Sequence, residues 1–353
     1  MAEKILMRGN EALCEGAIIA GCRYYFGYPI TPQNEVPAYM SRRMVEIGGC
    51  FLQAESEIAS INMVWGASMA GKRAMTSSSS PGISLMQEGI SYLAGAELPA
   101  VVVNMVRGGP GLGNIAPSQS DYFQATRGGG NGDYRTIVLA PATVQELTDI
   151  MLDAFDLADI YRTPVIVFGD GALGQMTEPL VLPSPSNRKL PEKDWVLDGA
   201  DGREERTVKS LRLSPAPALE ELNWKLQAKY REIERNEVRW DSYLIEDAEL
   251  IIVSFGMASR VARASIDRAR EQGLKVGLVR PITLWPFPYE ILNELAGEKR
   301  VRHFLDVEMN LGQMIEDVRL AVCGKKDVSF YGRTAGMLPD EDELFDRIVE
   351  VTR

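Results

Sequence analysis

The chain has 353 residues, enough for two or three ordinary domains, and its 45% hydrophobic and 25% charged composition is that of a globular protein. Lysine and arginine number 38 against 49 acidic residues, and the net charge of −11 leaves no cationic excess for a nucleic-acid backbone. No stretch approaches the ~18 consecutive apolar residues of a membrane helix. The opening Met1-Ala2-Glu3-Lys4 lacks the pattern of a secretory leader, so a cytoplasmic, membrane-free protein is expected.

Short apolar runs alternate with helix-length segments, the signature of α/β layers. In chain order the pattern predicts a helix over 9–20, a strand over 22–28, a small-residue helix over 55–70 and a strand over 73–76. A helix follows over 83–94, then a strongly β-type run over 100–106, a strand over 137–140, a helix over 144–160 and a strand over 164–168. That completes a first domain by Leu182. Residues 182–212 carry Pro183, Pro185 and Pro191 among many charges and read as an extended connector. The segment 219–239 is a charged helix whose narrow apolar stripe of Leu222, Leu226 and Ile233 suggests a solvated bridge. A second α/β unit opens at Ala248, with strands over 250–254, 275–279, 301–307 and 328–331 and a helix over 259–271.

Cys14, Cys22, Cys50 and Cys323 form no C-x-x-C pair, which argues against a structural zinc or an iron–sulfur cluster held by this chain alone. Cys14 and Cys22 read as buried free thiols. His303 is the single histidine and falls in a predicted strand, which argues against a Ser-His-Asp or Cys-His apparatus. Gly111-Leu112-Gly113-Asn114-Ile115-Ala116 matches G-x-G-x-x-A, but Pro110 and Pro117 flank it, so no helix starts where a dinucleotide needs one. Gly169-Asp170-Gly171 reads as a strand-end turn, because no asparagine follows at the spacing that would complete a Mg²⁺-diphosphate motif. No metal site is expected on this chain.

Three stretches carry more. In Gly27-Tyr28-Pro29-Ile30-Thr31-Pro32, Thr31 stands where an N-cap belongs, with Pro32 at the first helical position. It could serve only as a cap, or its hydroxyl and the amides beside it could meet an anion. Glu55 and Glu57 both open a small-residue helix; one could serve the helix dipole and the other lie buried against a flat ligand. Arg107 follows the 100–106 strand into a glycine-rich loop, at the strand end where α/β sheets bind ligands.

Together these stretches resemble the α subunit of 2-oxoacid:ferredoxin oxidoreductases, thiamine diphosphate enzymes that make acyl-CoA from 2-oxoacids. The resemblance is carried by Tyr28 to Pro32, Thr76-Ser77-Ser78, Gly82, Gln87-Glu88-Gly89, Glu97-Leu98-Pro99 and Arg107-Gly108-Gly109-Pro110. Gly113-Asn114-Ile115 and Ser118-Gln119-Ser120-Asp121-Tyr122 are most similar to the 2-oxoisovalerate branch. The resemblance implies two parallel-sheet domains: a pyrimidine-binding domain over 1–182, a connector over 183–247 and a transketolase C-terminal-like domain over 248–353. It implies that Glu57 hydrogen-bonds the aminopyrimidine N1′ beside Pro29 and Ile30, and that Thr31 and Arg107 bind the 2-oxoacid. A β subunit would carry the Mg²⁺-diphosphate site, a small ferredoxin-like subunit the [4Fe–4S] clusters, and ferredoxin and coenzyme A would complete the reaction. A 2-oxoglutarate-specific subunit and a non-catalytic scaffold are the alternatives.

Overall fold

The computed structural model describes residues 4–213 and 217–352. The first part of the chain runs β1 (Ile5–Arg8), α1 (Gly9–Ile19), β2 (Tyr24–Gly27), α2 (Glu35–Glu46), β3 (Cys50–Gln53), α3 (Glu57–Met69), β4 (Ala74–Ser78) and α4 (Pro81–Gly95). It continues through β5 (Ala100–Val106), α5 (Tyr122–Arg127), β6 (Ile137–Leu139), α6 (Val144–Tyr161), β7 (Pro164–Asp170), α7 (Gly171–Gln175) and β8 (Thr177–Leu180). After the connector come α8 (Ala218–Asn236), β9 (Trp240–Tyr243), β10 (Leu250–Ser254), α9 (Gly256–Glu271), β11 (Val276–Pro281) and β12 (Thr283–Trp285). The chain closes with α10 (Tyr289–Gly297), β13 (His303–Glu308), α11 (Met314–Val322), β14 (Asp327–Gly332) and α12 (Glu341–Thr352).

Both expected sheets are present. The first has seven strands in the order β12-β6-β7-β5-β4-β2-β3, all parallel except β12. From β2 the chain goes outward to β3 and then returns to the other side of β2 as β4. The carboxyl ends of β2 and β4 therefore flank a topological switch point, where open α/β sheets leave a crevice. Strand β5 shows how the core is divided. Val101, Val103 and Met105 join the large cluster with α1 and α6, whereas Ala100 and Val102 face α3 and α4. The second sheet, β14-β13-β10-β11-β9, packs its own core against α9 and α12.

The structure alters three expectations. The charged helix α8 is not a solvated bridge: Leu222, Leu226, Tyr230 and Ile233 are buried in the large core, and Lys225 and Lys229 pair with Glu97. Thr31 is not a helix cap. Helix α2 begins at Glu35 with Asn34 at the cap position, because the carbonyls of Thr31 and Pro32 are taken by Arg107, Asn10 and Gln175 from elsewhere in the fold. The turn at Gly169-Asp170-Gly171 is a capped helix start, since Asp170 accepts from Ala172 N and Leu173 N at 2.8 and 3.0 Å. Strand β9, within 183–247, forms the edge of the second sheet, and β12, within 248–353, is added to the first. No helix among the described residues is long and apolar enough to cross a membrane.

Candidate active site

Four carboxyl ends of the first sheet converge. Strand β2 delivers the loop 28–34, β3 the start of α3, β4 the serine run Ser77 to Ser80, and β5 the loop that opens with Arg107. At the start of α3, Ser56 caps the helix by accepting from Ala59 N. That fixes which acid turns inward: Glu55 is exposed and Glu57 is 5% exposed. The single hydrogen bond to the Glu57 carboxylate among the described residues comes from the Ser78 hydroxyl, at 3.4 Å. Gly82 lies against both side chains; a Cβ there would stand 2.9 Å from Glu57 Cδ and closer still to Glu57 Oε1 and Ser78 Oγ. A buried carboxylate with spare accepting capacity can take a hydrogen bond from a ligand N–H or exchange a proton with it.

Arg107 is 6% exposed. Nη1 donates to Thr31 O at 2.8 Å and Nη2 to Leu112 O at 3.1 Å, while Nε is buried without a partner. No carboxylate lies within 4 Å of this guanidinium among the described residues, so a full positive charge is held out of water by neutral carbonyls. Such a charge favours an anionic ligand. Thr31 is thus joined to Arg107 through its main chain, and its hydroxyl accepts from Asn34 Nδ2 at 3.1 Å. Tyr28 and Pro29 are exposed beside it and Ile30 is half-buried.

Sequence reasoning assigned no role to Asn104, the polar residue inside the apolar strand β5, although a lone asparagine among seven buried positions was a signal. Nor did it assign one to Ser80 or Asp121. Burial raises the Asp121 carboxyl above its ordinary pKa, opposed by the neighbouring Ser80 hydroxyl and the hydrogen bond from Asn104. Asp121 lines a cleft of about 520 Å³ with Ser80, Gly109, Gly111, Leu311 and Gln313, and no lysine or arginine lines it. Gln119 fastens the loop to the second domain, exchanging hydrogen bonds with Met309 and donating to Phe255 O at 2.9 Å. Cys14 and Cys22 are free and buried, as expected. His303 lies at the amino end of β13, its Nε2 2.8 Å from Ser329 Oγ. Among the described residues no three His, Cys, Asp or Glu side chains gather as metal ligands.

Residues 15–231 match the family model described as pyruvate flavodoxin/ferredoxin oxidoreductase, thiamine diphosphate-binding, and residues 248–344 that of pyruvate:ferredoxin oxidoreductase core domain II. Ketoisovalerate oxidoreductase subunit VorB of Methanothermobacter marburgensis is 51% identical, the match covering 98% of this chain and 97% of that protein. The 2-oxoglutarate synthase subunit KorA of Methanocaldococcus jannaschii is 37% identical, with 96% and 97% covered. The solved 2-oxoglutarate:ferredoxin oxidoreductase from Magnetococcus marinus, with 2-oxoglutarate, coenzyme A and succinyl-CoA bound, superposes at a TM-score of 0.89 and 28% identity, over 100% of this chain and 66% of that one. A split-gene transketolase shares the fold, at a TM-score of 0.60 and 14% identity, over 98% and 99% of the two chains. The chain belongs to the pyruvate flavodoxin/ferredoxin oxidoreductase family, with a thiamine diphosphate-binding domain at residues 15–231.

Proposed function

We propose that this chain is the α subunit of a cytoplasmic complex that oxidises 2-oxoisovalerate and related branched 2-oxoacids. One 2-oxoacid anion and coenzyme A yield acyl-CoA, CO₂ and one proton, and two electrons pass to ferredoxin. The observation that carries the reading is Arg107, a buried guanidinium with no acidic partner among the described residues and a free Nε, at the same carboxyl edge of the first sheet as the buried Glu57. Arg107 pairs with the substrate carboxylate, and the Thr31 hydroxyl meets the keto oxygen. Glu57 accepts a hydrogen bond from the aminopyrimidine ring, with Pro29 and Ile30 beside it; Gly82 lets α4 pack directly against the Glu57 and Ser78 side chains and so holds the carboxylate in place. Thiamine diphosphate, when bound, supplies the nucleophilic carbon and takes up the electrons released on decarboxylation.

The division at 182 and 247 assigns the thiamine half-site to the first domain. Mg²⁺ and the diphosphate belong to a β subunit, and [4Fe–4S] clusters to a small ferredoxin-like subunit. Leu112 and Ile115 in the loop after Arg107 and Leu311 at the cleft, exposed by 82%, 62% and 78%, support coverage by a partner. The loop after Arg107 supports the substrate class: Gly108 to Gly113 with Leu112, Ile115 and Ala116 are small or apolar residues that suit a branched side chain, and no lysine or arginine lines the neighbouring cleft to pair with a second carboxylate. The test is a competition assay on the assembled complex, where 2-oxoisovalerate is expected to be preferred over 2-oxoglutarate in kcat/KM, and Glu57→Gln to lower turnover by at least about 10²-fold. A tenfold preference for 2-oxoglutarate would reject the substrate, and near-normal turnover by Glu57→Gln would reject the role of Glu57.

A further inference from the structure

Asn104 is 1% exposed and lies beside Ser78 in the register of β4 and β5. Both ends of its carboxamide are used. Oδ1 accepts from Ser80 N at 3.2 Å, and Nδ2 donates to Asp121 Oδ2 at 2.9 Å. Ser80 has φ 22° and ψ −78°, a conformation that residues with a side chain rarely adopt and that persists only where the surroundings impose it. Its hydroxyl grips the main chain of Arg107 twice, accepting from Arg107 N at 3.1 Å and donating to Arg107 O at 3.2 Å. Asp121, Asn104, Ser80 and Arg107 are therefore one continuous hydrogen-bonded series, and its far end is the guanidinium that reaches Thr31 O and Leu112 O.

We infer that Asn104 is a positioning residue for substrate binding: anchored by Asp121, it holds Ser80 in its strained conformation, and Ser80 fixes the backbone from which Arg107 meets the 2-oxoacid carboxylate. The inference rests on the reading of Arg107 given above. The physical reason is geometric. Arg107 stands at the first residue beyond β5, so its aim depends on the peptide planes at 106–108, which Ser80 clamps from the β4 side while Gly108 N donates to Ala116 O at 2.9 Å on the other. A bidentate guanidinium–carboxylate pair tolerates little misorientation, and small displacements are costly in both binding and rate.

The test exchanges the two ends of the Asn104–Asp121 bond in the assembled complex. Asn104→Asp keeps an acceptor for Ser80 N but turns the donor into a carboxylate facing Asp121. It is expected to raise KM for 2-oxoisovalerate, and the dissociation constant of oxamate (an unreactive 2-oxoacid isostere) by calorimetry, at least tenfold, with a smaller fall in kcat. The double variant Asn104→Asp/Asp121→Asn puts the donor back from the other side. It is expected to return both constants to within about threefold of wild type, a recovery that two independent effects with their costs added would not produce. Wild-type constants in Asn104→Asp, or a double variant that is folded but no better than the single one, would overturn the inference. Should Asn104→Asp fail to assemble, the double variant decides alone by the same criterion. A wild-type complex that neither binds oxamate nor turns over 2-oxoacids would instead overturn the reading of Arg107, and the inference with it.

Discussion

Gly82→Ala adds one methyl group where the Glu57 and Ser78 side chains leave no room for it. Gly82 is the second residue of α4, and a Cβ there would stand 2.9 Å from Glu57 Cδ. Carbon atoms settle at about 3.5–4.0 Å, so the carboxyl must retreat by roughly 0.6–1.1 Å. Ser78, which the methyl also meets, is fully buried on β4 and has little freedom to yield. The groups in the way are side-chain atoms, so folding loses little: overpacking costs about 1–3 kcal/mol, offset by up to about 1 kcal/mol from replacing glycine in a helix. Turnover should lose far more, because a carboxylate displaced by about 1 Å from its partner costs on the order of 10²-fold. The assay compares kcat of the reconstituted complex with the thermal unfolding of the same preparation. Gly95→Ala is the control, since nothing lies within 4 Å of a Cβ at that position of the same helix; it should leave turnover unchanged. A folded Gly82→Ala complex turning over within about threefold of wild type would show that the placement of the Glu57 carboxylate against Gly82 has no bearing on its function.

Two further outcomes are expected from buried acids outside the site. Burial raises the Asp170 carboxyl to about 6, although the amides of Ala172 and Leu173 pull the other way. A raised folded-state pKa means that its contribution is complete below about pH 4 and lost as pH rises through about 6. Asp170→Asn keeps an acceptor for those amides without the charge. It should match wild type near pH 4 and be more stable at pH 7–8, by on the order of 3 kcal/mol at most; urea unfolding giving the same difference at both pH values would refute this. Asp317 is 1% exposed and ties the two domains, accepting from Tyr122 Oη at 2.6 Å, Arg127 Nη2 at 3.0 Å and Tyr289 Oη. Asp317→Ala strands those donors and should lower stability by about 3 kcal/mol in the same measurement, with Asp317→Asn losing less; a loss of under about 1 kcal/mol would count against the tie.

Local physics determined much of this molecule. The strands 100–106 and 250–254 were legible with their bounds because runs of β-branched residues buried on both faces have few other places to go. The paired acids at 55 and 57 were legible as one exposed and one buried, since a helix start presents alternate positions to different surroundings. Arg107 was legible as a strand-end residue at the sheet's ligand-binding edge. What the linear chain could not express is competition from distant partners. Thr31 has the look of a cap, but a guanidinium 76 residues away takes its carbonyl. The stripe on α8 looks too narrow to bury until Tyr230 and the core beneath it complete the contact. Ser80 looks like one serine among four, and only the carboxamide of Asn104 and the main chain of Arg107 hold it at a positive φ. Hydrophobic periodicity is a property of neighbours along the chain and survives in the sequence. The clamp around Arg107 is a property of the ends of β2, β4 and β5 meeting at a switch point, and it exists only once the sheet has assembled.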